Sequence, residues 1–189
     1  QILVTAHRRE NWGKPLEQIC GALLDIVEAH GGVHVMFPVH LNPKVRETAY
    51  RLLGRNSRIT LTEPLSYQDF VRQLATSHII LTDSGGVQEE APSLGKPVLV
   101  LRNETERMEA IAAGTCQLVG TDRQRIVTAV GSLLTNPDVY ARMARANNPY
   151  GDGKAAERIV RHIVQNLQRT PPCCPEVGMA KQCALSPTN

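Results

Sequence analysis

Short apolar runs alternate along most of the chain with segments of helical spacing, and this alternation limits the possible folds more than any other feature. The apolar runs cover residues 2–5, 33–37, 58–61, 79–82, 98–101 and 116–119. Apolar runs of this length and continuity are typical of strands that are buried on both faces of a parallel sheet.

The segments between these runs repeat their apolar residues every three or four positions. In the first segment, residues 15–29, one stripe contains Leu16, Ile19, Cys20, Leu23, Leu24 and Val27. Further helices are predicted over residues 43–53, 67–75, 87–94, 106–113, 123–134, 138–146 and 155–167. The alternation predicts an α/β fold, a Rossmann-like doubly wound parallel sheet. Ligands of such folds bind beyond the carboxyl ends of the strands, so the residues that follow each strand are the candidates for function.

Size and composition favour one soluble domain, and the mild excess of positive charge favours an anionic ligand. We expect a domain over residues 1–168 and a flexible, proline-containing tail over residues 169–189. The net charge of +3 is scattered, which argues against nucleic acid as a partner. No run approaches the roughly 18 apolar residues of a membrane span, and no signal peptide is evident, so a cytoplasmic protein is expected. Since the chain opens inside a strand-like run without Met, we also expect it to be part of a longer protein.

The cysteines do not predict a disulfide framework or a zinc site. The chain has five of them, an odd number, and Cys20 and Cys116 lie in apolar patterns typical of buried thiols. Cys173 and Cys174 are adjacent, which is not the spacing of zinc ligands.

The loop after the first strand carries three potential cations, His7, Arg8 and Arg9, and the carboxylate of Glu10. Arginine side chains have the planar geometry that grips phosphates. His7 can hydrogen-bond a phosphate oxygen or carry a proton near neutral pH. The alternative is a solvated loop with a local Arg–Glu pair. His40 follows the second strand and faces the same predicted cleft.

The fourth strand is followed by Ser84, Gly85 and Gly86, which we expect to turn the backbone sharply into a helix with open N–H groups. Such a start attracts phosphate, and Ser84 adds a hydroxyl donor. A carboxylate beside phosphate is repelled, so one of Glu89 and Glu90 is expected to accept hydrogen bonds from a neutral diol such as a ribose. The alternative is an ordinary capped helix. The motifs GxxxxGK[ST] and GxGxxG are absent, which disfavours P-loop and nicotinamide-dependent proteins.

Two later segments add candidates. Arg107 is predicted in the first turn of a helix, from which it can close over a diphosphate, and Arg102 and Glu106 can equally form a local salt bridge. The segment 63–70 can line a base pocket, although core packing is the simpler explanation of Phe70.

Together these segments resemble the non-hydrolysing bacterial UDP-N-acetylglucosamine 2-epimerases. The resemblance rests on HRRENWG, PVHLNP, LTDSGGVQEEAPSLGKPVLVLR, GTCQLVGTD and NPYGDG, in this order, and covers about residues 1–168. It implies the C-terminal half of a glycosyltransferase-B-type fold of two Rossmann-like domains. It also implies interconversion of UDP-GlcNAc and UDP-ManNAc by elimination and re-addition of UDP through 2-acetamidoglucal, with no metal or nicotinamide cofactor. Family members are homodimers.

The resemblance assigns roles to individual positions. His7 is similar to a histidine that supports catalysis, Glu90 to the ribose-binding carboxylate and Arg107 to a phosphate-binding arginine. Ser84, Gly85 and Gly86 match the diphosphate loop, and Leu65 and Phe70 fall where uracil is held. Arg8 and His40 match positions that bind a second, activating UDP-GlcNAc in some members. One departure is Met108, where family members usually have Pro.

The family's acid and base carboxylates belong to the N-terminal domain, which the sequence lacks. The resemblance therefore predicts a UDP-binding part that does not epimerise by itself. The alternatives are the donor-binding half of a UDP-sugar glycosyltransferase, a hydrolysing epimerase, and a non-catalytic nucleotide-sensing module.

Overall fold

A computed structural model of the chain describes residues 1–169. Gln1–Asp152 form one compact unit, and a second unit begins at Gly153. The predicted tail, apart from Arg169, lies outside the described residues.

The first unit is built on a six-stranded parallel sheet with the strand order β3-β2-β1-β4-β5-β6. Its strands are β1 (Ile2–Thr5), β2 (Val35–Pro38), β3 (Ile59–Thr62), β4 (Ile79–Thr82), β5 (Val98–Val100) and β6 (Cys116–Leu118). Each predicted apolar run therefore forms a strand, and the predicted doubly wound α/β class is confirmed.

Helices fill the connections. They are α1 (Lys14–Ala29), α2 (Pro43–Leu53), α3 (Tyr67–Thr76), α4 (Gly85–Glu90), α5 (Met108–Ala113), α6 (Arg123–Thr135) and α7 (Pro137–Ala144), with α8 (Ala155–Arg169) in the second unit. Short 3₁₀ turns cover Arg9–Asn11 and Ala91–Leu94. Among the described helices, none has the length and apolarity needed to cross a bilayer.

The sheet separates two hydrophobic cores. Alternate residues of the central strands face opposite sides, so Ile2 and Val4 of β1 join one core while Leu3 joins the other. The larger core lies under α1, α2 and α6, and the smaller one contains Leu74 of α3, Val87 of α4 and Ala110 of α5. The central strands β1, β4 and β5 are buried almost throughout, whereas the edge strands β3 and β6 are partly exposed.

Several helix boundaries differ from the sequence prediction, and those of α4 and α5 lie beside the predicted site residues Ser84, Gly85 and Arg107. The helix α4 starts at Gly85, two residues earlier than expected, and ends at Glu90, after which the chain tightens into the 3₁₀ turn that contains Pro92. The helix α5 begins at Met108, so Arg107 precedes it instead of lying in its first turn.

The sheet reverses its winding direction between β1 and β4. These strands are neighbours, with Thr5 opposite Thr82 and their hydroxyl oxygens 2.6 Å apart. The chain leaves β1 toward the larger core and β4 toward the smaller one, so their loops diverge and leave a crevice.

Candidate functional site

A cleft of about 240 Å³ lies at this crevice. It is lined by residues at the carboxyl ends of the first four strands and in the segments that follow them: Thr5, Ala6, His7, Pro38, His40, Pro64, Leu65, Phe70, Ser84 and Val87. Five predicted site residues therefore meet here, namely His7, His40, Leu65, Phe70 and Ser84. The volume is below the 300–1,000 Å³ typical of pockets that enclose a small-molecule ligand, so the cleft suits one part of a larger ligand.

One wall of the cleft is apolar. The helix α3 starts after Ser66, whose Oγ accepts a hydrogen bond from the Asp69 amide at 3.2 Å, and this cap sets the first turn that contains Phe70. Phe70 is partly buried against the smaller core and also lines the cleft beside Leu65. Both proposed roles of Phe70, core packing and lining a base pocket, are thus compatible with its position.

The floor of the cleft is organised by Asp83, whose side chain is fully buried. Its Oδ2 accepts hydrogen bonds from the backbone amides of His7 and Arg8, both at 2.8 Å, and from Asn11 Nδ2 at 3.0 Å. The Arg8 side chain donates from Nε to the Asp83 backbone oxygen at 2.9 Å. The carboxylate thereby fixes the loop after β1 to the end of β4.

His7 lies between the buried floor and the open cleft, with 41% of its side chain exposed. Its ring stacks on that of His40, with centroids 5.5 Å apart and an angle of 16° between the planes. His40 Nδ1 accepts from the Asn42 amide at 3.1 Å, and Trp12 Nε1 donates to the His7 backbone oxygen at 3.2 Å. These contacts hold both imidazoles at the cleft.

The glycines after Ser84 have a different purpose from the expected one. The chain does turn from the end of β4 at Thr82 into α4 at Gly85, as predicted, but Gly85 and Gly86 are helical residues without positive φ, so the turn does not use the torsion angles that only glycine adopts easily. Gly85 instead makes space, since a Cβ there would lie 3.1 Å from Cζ of Arg107. The Ser84 side chain makes no capping bond to the helix and lines the cleft. Arg107 and Ser84 thus flank the start of α4.

The two glutamates at the end of α4, Glu89 and Glu90, have different partners. Glu89 Oε1 accepts from Arg107 Nε at 2.8 Å and lies 2.7 Å from Nη2. Glu90 accepts a hydrogen bond from the Tyr67 hydroxyl at 3.2 Å, and this contact raises the pKa of Tyr67. Glu90 therefore differs from Glu89 in that its contact is with a neutral hydroxyl, and the binding of a diol by one of the pair stays a prediction.

An ionic cluster joins the loops after β1 and β5. Arg102, only 7% exposed, contacts Glu10 at 2.6 Å and Glu106 at 2.8 Å. The Arg102 guanidinium lowers the pKa of Glu106 to about 2. Glu10 thus pairs with Arg102 across the sheet, and the alternative of a local pair with Arg8 or Arg9 is wrong. The predicted Arg102–Glu106 bridge is confirmed.

Sequence analysis missed Asp83 and Tyr67 as parts of the site. Asp83 directly follows a fully buried strand, where a carboxylate is unfavourable unless hydrogen-bond donors surround it. Its position in the sequence therefore indicated a carboxylate with a structural or functional role. Tyr67 gave no such indication, because its contact with Glu90 spans 23 residues and depends on how α3 packs beside α4.

Comparison with known proteins agrees with these features. The sequence model of a family described as UDP-N-acetylglucosamine 2-epimerase matches residues 1–164. The chain is 54% identical to the UDP-N-acetylglucosamine 2-epimerase of Escherichia coli K12 over 165 residues, which are 87% of the chain and 44% of the relative. The corresponding Bacillus subtilis enzyme is 56% identical over 163 residues, 86% of the chain and 43% of the relative.

A solved structure shares the fold. The crystal structure of the Neisseria meningitidis UDP-GlcNAc 2-epimerase bound to UDP-GlcNAc matches with a TM-score of 0.83 and 48% identity, over 87% of the chain and 44% of that protein. The chain spans less than half the length of the relatives it matches. The matched residues include the whole cleft, and the chain belongs to the UDP-N-acetylglucosamine 2-epimerase family.

Proposed function

We propose that the chain is the UDP-binding part of an enzyme that interconverts UDP-GlcNAc and UDP-ManNAc. The observation that carries the proposal is the convergence of an apolar wall, two histidines and Ser84 in one cleft, with Arg107 beside the start of α4. These groups match, in kind and order, the parts of a uridine nucleotide.

The apolar wall suits the uracil ring. Leu65, which follows β3, and Phe70, in the first turn of α3, offer a partly buried apolar surface. In this proposal Glu90 binds the ribose, because a carboxylate can accept hydrogen bonds from two neighbouring hydroxyls. Tyr67 orients the Glu90 carboxylate from the outer side.

The diphosphate lies between Ser84 and Arg107. In this proposal Gly85 and Gly86 present the backbone at the start of α4 to the anion, and Arg107, whose guanidinium fills the space beside Gly85, supplies the compensating charge. Arg107 contacts Glu89, but 31% of the Arg107 side chain is exposed and can contact a second anion. His7 is proposed to support catalysis from the same side of the cleft.

Arg8 and His40 are proposed to bind a second UDP-GlcNAc. The stacking of His40 on His7 supports a position next to the first ligand, so that the two molecules would share the histidine pair. Arg8 lies on the same loop as His7, with its Nε held by the Asp83 carbonyl.

The proposed reaction removes the C2 proton of the sugar, eliminates UDP to give 2-acetamidoglucal and adds UDP back after protonation of the opposite face. These steps need a positioned base and a positioned acid. We propose that a further, N-terminal domain supplies them and that the longer protein is a cytoplasmic homodimer. Light scattering of the longer protein would test its oligomeric state.

Calorimetric titration of the 189-residue chain with UDP, UDP-GlcNAc and ADP tests the nucleotide assignment. We expect UDP to bind more tightly than ADP, and Glu90→Gln to weaken UDP binding by about tenfold, since a hydrogen bond to a charged group contributes about 1.5–3 kcal/mol. We also expect His7→Ala to weaken it. The exposed Glu104 is a matched control, because Glu104→Gln changes the same charge outside the cleft.

The titrations distinguish the proposal from its alternatives. Uridine-selective binding that depends on Glu90 and not on Glu104 supports the proposal. Equal affinity for UDP and ADP, or no loss with Glu90→Gln, contradicts the assignment of the uracil and ribose contacts.

A further inference from the structure

We propose that Asp83 is a positioning residue that keeps the His7 imidazole in the tautomer with its proton on Nδ1. Nε2 then faces the cleft as an unprotonated hydrogen-bond acceptor. The consequence for catalysis rests on the proposed function, whereas the tautomer itself follows from the contacts of Asp83 alone.

The first step concerns Asp83 Oδ2, which already has three donors. The amides of His7 and Arg8 and the side-chain amide of Asn11 all point to it, at 2.8 to 3.0 Å. Because these donors come from the backbone and from a buried asparagine, they fix the orientation of the carboxyl group. The position of the other oxygen, Oδ1, is therefore fixed as well.

The second step concerns Asp83 Oδ1, which lies 3.2 Å from His7 Nδ1. This contact is close but not aligned as a hydrogen bond, and Oδ1 is buried with no other hydrogen-bond partner among the described residues. A buried acceptor without a donor is unfavourable. A proton on Nδ1 turns the contact into an attraction after a small rotation of the ring, whereas a bare Nδ1 would set two lone pairs against each other.

The third step concerns the freedom of the ring. The His7 backbone is held by Asp83 and by Trp12 Nε1, and its ring stacks on His40. Turning the imidazole over about its Cβ–Cγ bond would put Cδ2 in the place of Nδ1 and would leave the buried Asp83 Oδ1 without a nitrogen beside it, so the observed orientation of the ring is favoured. Nδ1 faces the buried carboxylate, so Nε2, at the far edge of the ring, points away from Asp83, and His7 as a whole lines the cleft.

This geometry decides between two roles of His7. With Nδ1 protonated, a neutral His7 accepts a proton or a hydrogen bond at Nε2 from a ligand hydroxyl or a water molecule. It can donate to a phosphate oxygen only after taking up a second proton. The structure therefore favours proton acceptance over phosphate binding by the neutral ring.

Asp83→Asn provides a sharp test because it preserves shape. The three donors require the remaining carbonyl oxygen at the Oδ2 position, so the new amide NH₂ faces His7 Nδ1 and forces the proton to Nε2. The tautomer is measured in the ¹⁵N-histidine-labelled chain by long-range ¹H–¹⁵N correlation at alkaline pH, with His7 assigned by the loss of its signals in His7→Gln. Asp122→Asn is the matched control, since Asp122 caps α6 by accepting from the Arg125 amide and asparagine caps equally well.

We expect Nδ1–H in the wild type and in Asp122→Asn, and Nε2–H in folded Asp83→Asn. An Nε2–H tautomer in the wild type overturns the proposal, as does an unchanged tautomer in folded Asp83→Asn. If Asp83→Asn does not fold, the wild-type spectrum decides, because a downfield Nδ1–H signal that is absent from His7→Gln supports the proposal and its absence contradicts it. Failure of UDP to bind would contradict the proposed function, whereas the tautomer of His7 would still be measured and would still test the role of Asp83.

Discussion

Arg107 and Gly85 illustrate how the site depends on the absence of a side chain. Arg107 lies against the start of α4 because Gly85 has no Cβ there, and the guanidinium occupies the space that any other residue would fill. The next glycine differs, since a Cβ on Gly86 would meet only Glu90 Oε1, at the ordinary distance of 3.8 Å. The two neighbours therefore form a matched pair for substitution.

We expect Gly85→Ala to weaken UDP binding by at least about tenfold, the effect of losing one hydrogen bond between charged groups. Stability should be kept or rise, because alanine is favoured over glycine in a helix by about 0.5–1 kcal/mol and the end of the Arg107 side chain can move. Gly86→Ala should have a smaller effect on affinity. Calorimetry and urea unfolding of both variants check this, and equal affinities for UDP would show that Arg107 is not in contact with the ligand.

At the scale of elements, the sequence predicted the strands and most helices well because buried strands and amphipathic helices leave strong apolar patterns. The start of α2 at Pro43 was also predictable from its cap, Asn42. The errors at α4 and α5 have local causes. Gly85 and Gly86 are poor helix formers that tertiary contacts hold in a helix, and Thr105 Oγ1 accepts from the Arg107 amide at 3.1 Å, which delays the start of α5.

The first residue of α5 offers a test of helix initiation. Met108 is 57% exposed at the first helical position, where the fixed φ of proline suits a helix and the lost N–H is not needed. We expect Met108→Pro to stabilise the chain by about 0.4–1 kcal/mol by restricting the unfolded state, and Met108→Ala to lack this gain. Urea unfolding measures both. A destabilised Met108→Pro would mean that the backbone of Arg107 does not tolerate a following proline.

At the scale of the whole molecule, the candidate site could be located from the sequence but not assembled from it. The residues after each strand were the right places to look, and His7, His40, Leu65, Phe70 and Ser84 do share one cleft. The contacts that organise them could not be predicted, because the pairing of His7 with Asp83 requires β1 to lie beside β4. Strand order is a property of the complete sheet, whereas apolar periodicity is local.

The contacts of the carboxylates that follow β4 also predict what the chain cannot do. Asp83 is buried under the His7 loop, Glu89 contacts Arg107 and Glu90 contacts Tyr67, so each already has a structural partner. We expect the 189-residue chain to bind UDP-GlcNAc without converting it to UDP-ManNAc. Incubation with UDP-GlcNAc followed by NMR of the sugar products checks this, and UDP-ManNAc formed at a rate proportional to the protein concentration would contradict it.

The neighbouring position of β1 and β4 has a consequence for how the molecule acquires its site. The hydroxyls of Thr5 and Thr82 meet across 77 residues of sequence, and His7 and Asp83 across 76. Contacts between such distant segments carry a large loop-closure entropy and slow the folding of a domain. During synthesis, β1 must therefore wait until β4 has emerged, and the cleft becomes able to hold a ligand only after the 76 residues that lead from His7 to Asp83 have been made.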